Sequence, residues 1–154
     1  MKRQFRSFKN AFKGIIAAFT TESHMRFHFV AAFFVVLFAY ISRMDFASWA
    51  ILILTIGVVF ATELINTAIE NTCDLYSTEQ NPLIGKIKDI AAGAVLFASF
   101  AAVGVALFTF VFTGKLVYAF ERLLRHPLYF IPLGICAVCS VLFIIFGGYK
   151  NTRK

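Results

Sequence analysis

The chain has 154 residues, of which 60% are hydrophobic and 15% are charged. Because soluble domains carry about 25% charged residues, this composition excludes a soluble protein and predicts an integral membrane protein without a separate soluble catalytic domain. The formal net charge is +7, but the basic residues gather at the ends of apolar segments and form no nucleic-acid-binding run, so we expect no nucleic-acid partner.

Residues 1–23 predict a basic amphipathic helix on the membrane surface. An uninterrupted apolar stretch begins only near Phe29, too late for a secretory signal, so we expect this segment to remain in the mature protein. Its apolar side chains recur at helical spacing among basic residues: Phe5, Phe8, Phe12, Ile15, Ile16 and Phe19.

Apolar stretches farther along the chain predict four transmembrane helices, and therefore an all-α membrane fold. A tight turn at 43–45 follows the first span, and a polar loop at 75–87 with turn-forming Asn81, Pro82 and Gly85 follows the second. An amphipathic, interfacial segment at 115–126 precedes the fourth span, and a basic tail follows it. The four spans are predicted at about 27–42, 46–71, 90–112 and 127–147.

The distribution of basic residues predicts the orientation, because Lys and Arg are retained on the cytoplasmic side. With the N-terminus inside, eleven Lys and Arg residues face the cytoplasm and four face outward. We therefore expect both termini, and the loop after the second span, to be cytoplasmic. The four outward-facing residues are Arg43, Lys115, Arg122 and Arg125.

Four polar side chains follow one another near the end of the second span: Glu63, Asn66, Glu70 and Asp74. At about 100° per residue they share an arc of roughly 80°, which we call the acidic face. Counted from Phe46 at ~1.5 Å per residue, Glu63 lies about 25 Å along the helix, near the edge of a hydrocarbon layer about 30 Å thick. Acids could simply cap this helix end, but the helix dipole disfavours them there, so we interpret the face as a functional site.

A second set of charges reaches the same membrane boundary. Glu22 and Arg26 precede the first span, and Lys88 and Asp89 begin the third. Arg26 or Lys88 alone would be an ordinary interfacial anchor. Carboxylates, however, bind a hard divalent cation, the cation and a lysine hold polyphosphate, and a further carboxylate accepts a hydroxyl proton. The combination predicts metal-assisted phosphoryl transfer to a lipid hydroxyl.

Two other kinds of site are not expected. The stretch "GKIKD" lacks the upstream glycine and the Ser or Thr of a Walker-type phosphate loop. His24 and His28 are interpreted as interfacial residues and His126 lies on the opposite side, so we expect no histidine-based metal site.

Four motifs add a further signal: "FKNAFKG" at 8–14, "TESHMRFH" at 21–28, "ELINTAIENTCD" at 63–74 and "GKIKDIAAGAVL" at 85–96. Together they resemble the small prokaryotic diacylglycerol kinase family, which includes the undecaprenol kinases of Gram-positive bacteria. The resemblance covers roughly residues 3–112 and implies a lipid kinase domain at 1–112. It also implies a homotrimer in the bacterial cytoplasmic membrane that uses MgATP, with Mg²⁺ as cofactor, to phosphorylate a membrane alcohol. Residues 113–154, with the fourth span and the tail, depart from the family's three-span pattern.

The resemblance also implies roles for individual residues. It makes Glu63 the catalytic base, with Asn66 beside it, and makes Glu22 and Glu70 the carboxylates for metal and ATP. Further ATP contacts are implied at Arg3, Asn10, Asp74, Glu79, Gln80, Asn81, Lys88 and Asp89. Lipid-substrate contacts are expected from Glu63, Arg26 and Ala92. The stretches at 26–28 and 88–96 are more similar to the undecaprenol kinases than to the diacylglycerol kinases of Gram-negative bacteria. Undecaprenol is therefore the expected acceptor, and diacylglycerol is the alternative.

Two alternative functions, from protein classes other than enzymes, compete with the kinase hypothesis. A small proton-coupled transporter would use a membrane-embedded Glu63 to exchange protons for a cationic substrate, but it would need Glu63 near mid-membrane and would give Glu22, Glu70 and Lys88 no task. A noncatalytic relative would act as a lipid-binding or assembly subunit. Consumption of ATP that depends on a lipid alcohol separates the three.

Overall fold

The computed structural model describes residues 2–76 and 81–148, and these two stretches fold into helices without a strand. A π-helical segment, Leu107–Phe112, continues α4, and a short 3₁₀ turn, Pro127–Tyr129, leads into α6. Four helical stretches are long and apolar enough to cross a membrane, which confirms the predicted all-α membrane fold. The helices are α1 (Lys2–Thr21), α2 (Ser23–Ile41), α3 (Phe46–Tyr76), α4 (Pro82–Ala106), α5 (Lys115–Arg125) and α6 (Phe130–Phe146).

The connection between α3 and α4 is shorter than expected. The prediction that a polar loop spans 75–87 is wrong, because α3 continues to Tyr76 and α4 begins at Pro82. The amide oxygen of Asn81 accepts a hydrogen bond from the Leu83 N–H at 2.9 Å, and proline suits the first position of a helix. The Asn-Pro pair therefore starts a helix where it was interpreted as a turn.

The turn at the other end fixes α2 and α3 as an antiparallel hairpin. Asp45 caps α3, because its carboxylate accepts hydrogen bonds from the Ser48 N–H at 3.0 Å and from the Ser48 hydroxyl at 2.7 Å. Ser48, mainly through its N–H, holds the pKa of the Asp45 carboxyl below its usual value. Lys115 and Arg122 donate to the backbone carbonyls of Arg43 and Ile41, so α5 lies at this turn end of the bundle.

Helix packing follows from small residues and a narrow buried stripe. The most extensive contact joins α3 to α4, whose buried residues Ala91 and Ala98 allow close approach of the two helices. On α3, Leu52, Val59 and Glu63 are buried in the same stripe. α2 contacts α3 as well as α5 and α6. The acidic face thus begins on the side of α3 that packs against other helices.

α1 lies at the opposite end of the bundle from the turn. Phe19, near its C-terminus, packs edge-on against Phe29 of α2, with ring centroids 5.3 Å apart. The apolar side chains of its N-terminal half remain exposed, from 79% at Phe5 to 65% at Phe12. An amphipathic helix anchored at one end with an exposed apolar face suits the surface of a bilayer.

Arg26 is almost buried, at 5% exposure, where α1, α2 and α6 meet. Its Nη1 donates to the carbonyl oxygens of Phe19 at 3.1 Å and Thr20 at 3.4 Å, and its Nε donates to that of Ile144 at 3.3 Å. The last carbonyls of a helix lack partners and carry the negative end of its dipole, so one guanidinium serves two helix ends. The C-terminus of α6 therefore lies beside the start of α2.

A first prediction concerns the hydrogen bonds by which Arg26 joins the ends of α1 and α6, here called the Arg26 clamp. Arg26→Met is expected to lower stability by about 1–3 kcal/mol, because the carbonyls would lose charge-assisted hydrogen bonds in a buried setting. The midpoint of thermal unfolding in detergent should fall accordingly. Arg125→Met, which removes an exposed arginine from the last turn of α5, is the control. An equal midpoint for Arg26→Met and the control would contradict the clamp.

Candidate functional site

Three side-chain contacts follow one another along the acidic face of α3. The first joins His28 of α2 to Glu63, the second lies within α3 between Asn66 and Glu70, and the third joins Asp74 to Lys88 of α4. From Glu63 to Asp74 the face extends about 16 Å at ~1.5 Å per residue. It begins among buried residues and ends in exposed ones, so it runs from the packed helices to the surface of the bundle.

Glu63 is the buried end of the face. Its side chain is 5% exposed, and its Oε1 lies 2.9 Å from Nε2 of His28, whose side chain is 18% exposed. An unpaired buried carboxylate would be costly, and a polar group in close contact offsets part of that cost. The structure thus holds an ionisable acid inside the helical bundle, in close contact with an imidazole from a second helix.

The middle contact leaves one polar atom unpaired. Nδ2 of Asn66 donates to Oε1 of Glu70 at 2.8 Å. The other amide atom, Oδ1 of Asn66, is buried and has no hydrogen-bond partner among the residues that the structure describes. Buried polar atoms are nearly always satisfied. An unsatisfied acceptor beside a carboxylate therefore points to a missing donor or cation at this position.

The outer contact joins two helices at the end of the bundle. Lys88 pairs with Asp74 in a hydrogen-bonded ion pair, with side chains 33% and 67% exposed. Exposed pairs of this kind contribute at most about 1 kcal/mol of stability, since water screens them. The pair therefore does little to hold α3 to α4, and its ammonium group remains accessible to an anion.

The remaining predicted site residues are more scattered. Glu22 is half-buried at the junction of α1 and α2, and within residues 2–76 and 81–148 its side chain makes no hydrogen bond or ion pair. Arg26 turns its guanidinium to backbone carbonyls and leaves little surface for a lipid headgroup. Asn81 caps α4. Arg3, Asn10, Asp89 and Ala92 are exposed on α1 and α4, whereas Glu79 and Gln80 lie outside the described residues.

Mg²⁺ is the ion that the resemblance implies for this site. No three His, Cys, Asp or Glu side chains form a metal-binding group in the part of the chain that the structure describes. Mg²⁺ needs fewer protein ligands, since one or two carboxylates suffice when water and phosphates complete the shell. Glu70 and the unpaired oxygen of Asn66 are the hard oxygen donors that this ion prefers. These residues fit Mg²⁺.

Sequence reasoning missed His28, which was interpreted as an interfacial residue. The distances of His28 and Glu63 from the turn of the α2–α3 hairpin could have indicated their contact. Counted from the turn at 42–45, His28 lies about four helical turns back along α2 and Glu63 about five turns forward along α3. Two antiparallel helices joined by a tight turn bring such positions to similar depth, so the histidine could have been considered as a partner of the acid.

Comparisons with known proteins place the chain among lipid kinases. The family model for prokaryotic diacylglycerol kinase matches residues 9–110. The chain is 38% identical to the undecaprenol kinase of Bacillus subtilis over 116 residues, which cover 75% of this chain and 93% of that protein. It is 39% identical to the diacylglycerol kinase of Synechocystis over 98 residues, 63% of this chain and 56% of that protein.

The diacylglycerol kinase of Escherichia coli K12 is 33% identical over 93 residues, 60% of this chain and 76% of that protein. No solved structure matches the chain at comparable significance. The family match spans all of the acidic face as well as Glu22, His28 and Lys88. The chain therefore belongs to the prokaryotic diacylglycerol kinase family of integral membrane lipid kinases.

Proposed function

We propose that the chain transfers the γ-phosphate of MgATP to the hydroxyl of undecaprenol, forming undecaprenyl phosphate. The observation that carries this proposal is the acidic face, where a buried acid stands next to oxygen donors and an accessible ammonium. The relative covered over 93% of its length is an undecaprenol kinase. Diacylglycerol is the second candidate acceptor, because the other relatives are diacylglycerol kinases.

Glu63 is proposed as the general base. It is buried where α3 passes from the packed helices toward the surface, about 25 Å along α3 from Phe46 at ~1.5 Å per residue. A lipid alcohol embedded in the bilayer presents its hydroxyl at this depth, while its apolar chain lies beside the transmembrane helices. A carboxylate within hydrogen-bond reach of that hydroxyl can accept its proton.

The outer part of the face is proposed to hold MgATP. Glu70 and Asn66, with Glu22 from the start of α2, would hold Mg²⁺, and the bound ion would neutralise charge on the transferring phosphate. Lys88, held by Asp74, would contact a phosphate oxygen as a point charge. By analogy with the family, further nucleotide contacts are proposed from Arg3, Asn10, Glu79, Gln80, Asn81 and Asp89.

The orientation and assembly belong to the same proposal. We place both termini in the cytoplasm of a bacterium, because the basic residues are concentrated on that side and four spans return the chain to it. Arg26 supports this topology, since it joins the start of α2 to the end of α6. We propose a homotrimer by analogy with the family. Family membership and the three contacts on the acidic face speak against a proton-coupled transporter.

The acceptor is tested by direct competition. Purified protein in detergent is given MgATP labelled in the γ-phosphate with undecaprenol and diacylglycerol in equal amounts, and the labelled lipids are separated. Preferential labelling of undecaprenol is expected. Preferential labelling of diacylglycerol would assign the second candidate, and an absence of label in both lipids would contradict the proposed function.

A further inference from the structure

The contact between His28 and Glu63 gives the proposed base a fixed orientation. Nε2 of His28 lies 2.9 Å from Oε1 of Glu63, close enough for the imidazole to hold that carboxylate oxygen in place. This contact restrains Oε1 of Glu63, and Oε2 is left for another partner. The two residues come from different helices, so the orientation of the base depends on how α2 packs against α3.

We propose that His28 is the positioning residue of the catalytic base, an inference that rests on the proposed function. It holds Oε1 so that Oε2 faces the lipid hydroxyl. The hydroxyl proton passes to Glu63, the lipid oxygen forms a bond to the γ-phosphorus, and the bond from that phosphorus to the bridging oxygen breaks, with its electron pair leaving on ADP. His28 contacts neither substrate and acts through Glu63.

Orientation matters because glutamate is a flexible side chain. It has among the largest amounts of rotamer freedom to lose on becoming fixed, and a displacement of about 1 Å at a reacting group can lower a rate by about 100-fold. Because His28 of α2 holds one oxygen of the Glu63 carboxylate, the other oxygen is restricted as well.

The pocket beside His28 offers no substitute for its contact with Glu63. His28 borders a pocket of about 90 Å³ between α2, α3 and α4. Its lining is almost entirely apolar, with residues such as Ala31, Val59 and Phe60. The Thr55 hydroxyl, also in the lining, donates to the backbone carbonyl of Ile51 at 2.7 Å. The lining of this pocket therefore provides no free donor that could replace the imidazole beside Glu63.

The test compares three variants of the full-length protein in the same detergent. His28→Leu removes the donor, and His28→Gln keeps an N–H at a similar reach. His24→Leu is the matched control, because His24 is exposed one helical turn earlier on α2. For each protein, kcat, the KM for the lipid alcohol and the Kd for MgATP are measured, with wild-type transfer established first.

His28→Leu is expected to lower kcat by about 10- to 100-fold, with KM and Kd within about two-fold. His28→Gln should recover most of kcat, and His24→Leu should match wild type. A kcat for His28→Leu equal to that of the control would overturn the proposal while leaving the proposed function intact. An equal loss in His28→Leu and His28→Gln would also overturn it.

A stability measurement examines the pair without reference to activity. Unfolding midpoints are compared for His28→Leu, Glu63→Gln and the double variant. Because the lone carboxylate is costly only while it is charged and unpaired, the loss caused by His28→Leu should shrink when Glu63 is already glutamine. Additive losses would overturn the pairing. If wild type transferred no phosphate to any lipid alcohol, the proposed function would fall and the role of His28 with it.

Discussion

Glu63→Gln is expected to lower the rate of phosphoryl transfer by about 10²–10⁴-fold, the usual contribution of a positioned general base. The amide keeps the size of the side chain and an oxygen that can accept the N–H of His28, but it cannot take up the hydroxyl proton at neutral pH. Because Glu63 is not among the proposed Mg²⁺ ligands, the affinity for MgATP should stay within about two-fold of wild type. Single-turnover transfer and equilibrium nucleotide binding give the two numbers.

Glu121→Gln is the matched control for this substitution. Glu121 is exposed on α5, at the opposite end of the bundle, and the same change of charge there should leave both numbers unchanged. If Glu63→Gln lost nucleotide binding but transferred phosphate normally once saturated, the assignment of the base would be wrong.

Glu70→Gln is expected to act on binding. The amide can still accept the hydrogen bond from Asn66 but no longer supplies a charged oxygen to Mg²⁺. Since even the loss of an outer partner of a metal ligand costs about 10- to 100-fold in affinity, the Mg²⁺-dependent affinity for ATP should fall by at least that factor. Titration of ATP at fixed Mg²⁺, repeated without Mg²⁺, measures it.

The two titrations distinguish a metal ligand from a general electrostatic effect. With Mg²⁺ the variant should bind ATP more weakly than wild type, whereas without Mg²⁺ the removal of a negative charge should not weaken binding. Glu121→Gln again serves as the control. Unchanged affinity in the presence of Mg²⁺ would remove Glu70 from the metal site.

The helices and the acidic face could be predicted because both depend on local periodicity. Apolar stretches of sufficient length define the spans whatever their neighbours, and the spacing of Glu63, Asn66, Glu70 and Asp74 puts them on one side of any helix. The contact between Asn66 and Glu70 follows from that spacing, since residues four apart are neighbours on a helix surface.

The contacts between helices could not be predicted in the same way. His28 and Arg26 looked like interfacial residues because sequence gives neither the rotation of α2 nor the place where α6 packs. In the structure, one contacts the acid of α3 and the other contacts the ends of α1 and α6. The start of α4 was misplaced for a local reason, since Asn-Pro is compatible with either a turn or a helix cap.

We expect this chain to consume ATP in order to phosphorylate a lipid alcohol. The most direct measurement follows ADP formation by the purified protein with and without lipid alcohol, and quantifies lipid phosphate in the same samples. We expect ADP formation that depends on the alcohol, with one lipid phosphate formed per ADP, and loss of both in Glu63→Gln. ADP formation that is independent of the alcohol, or an absence of lipid phosphate, would contradict it.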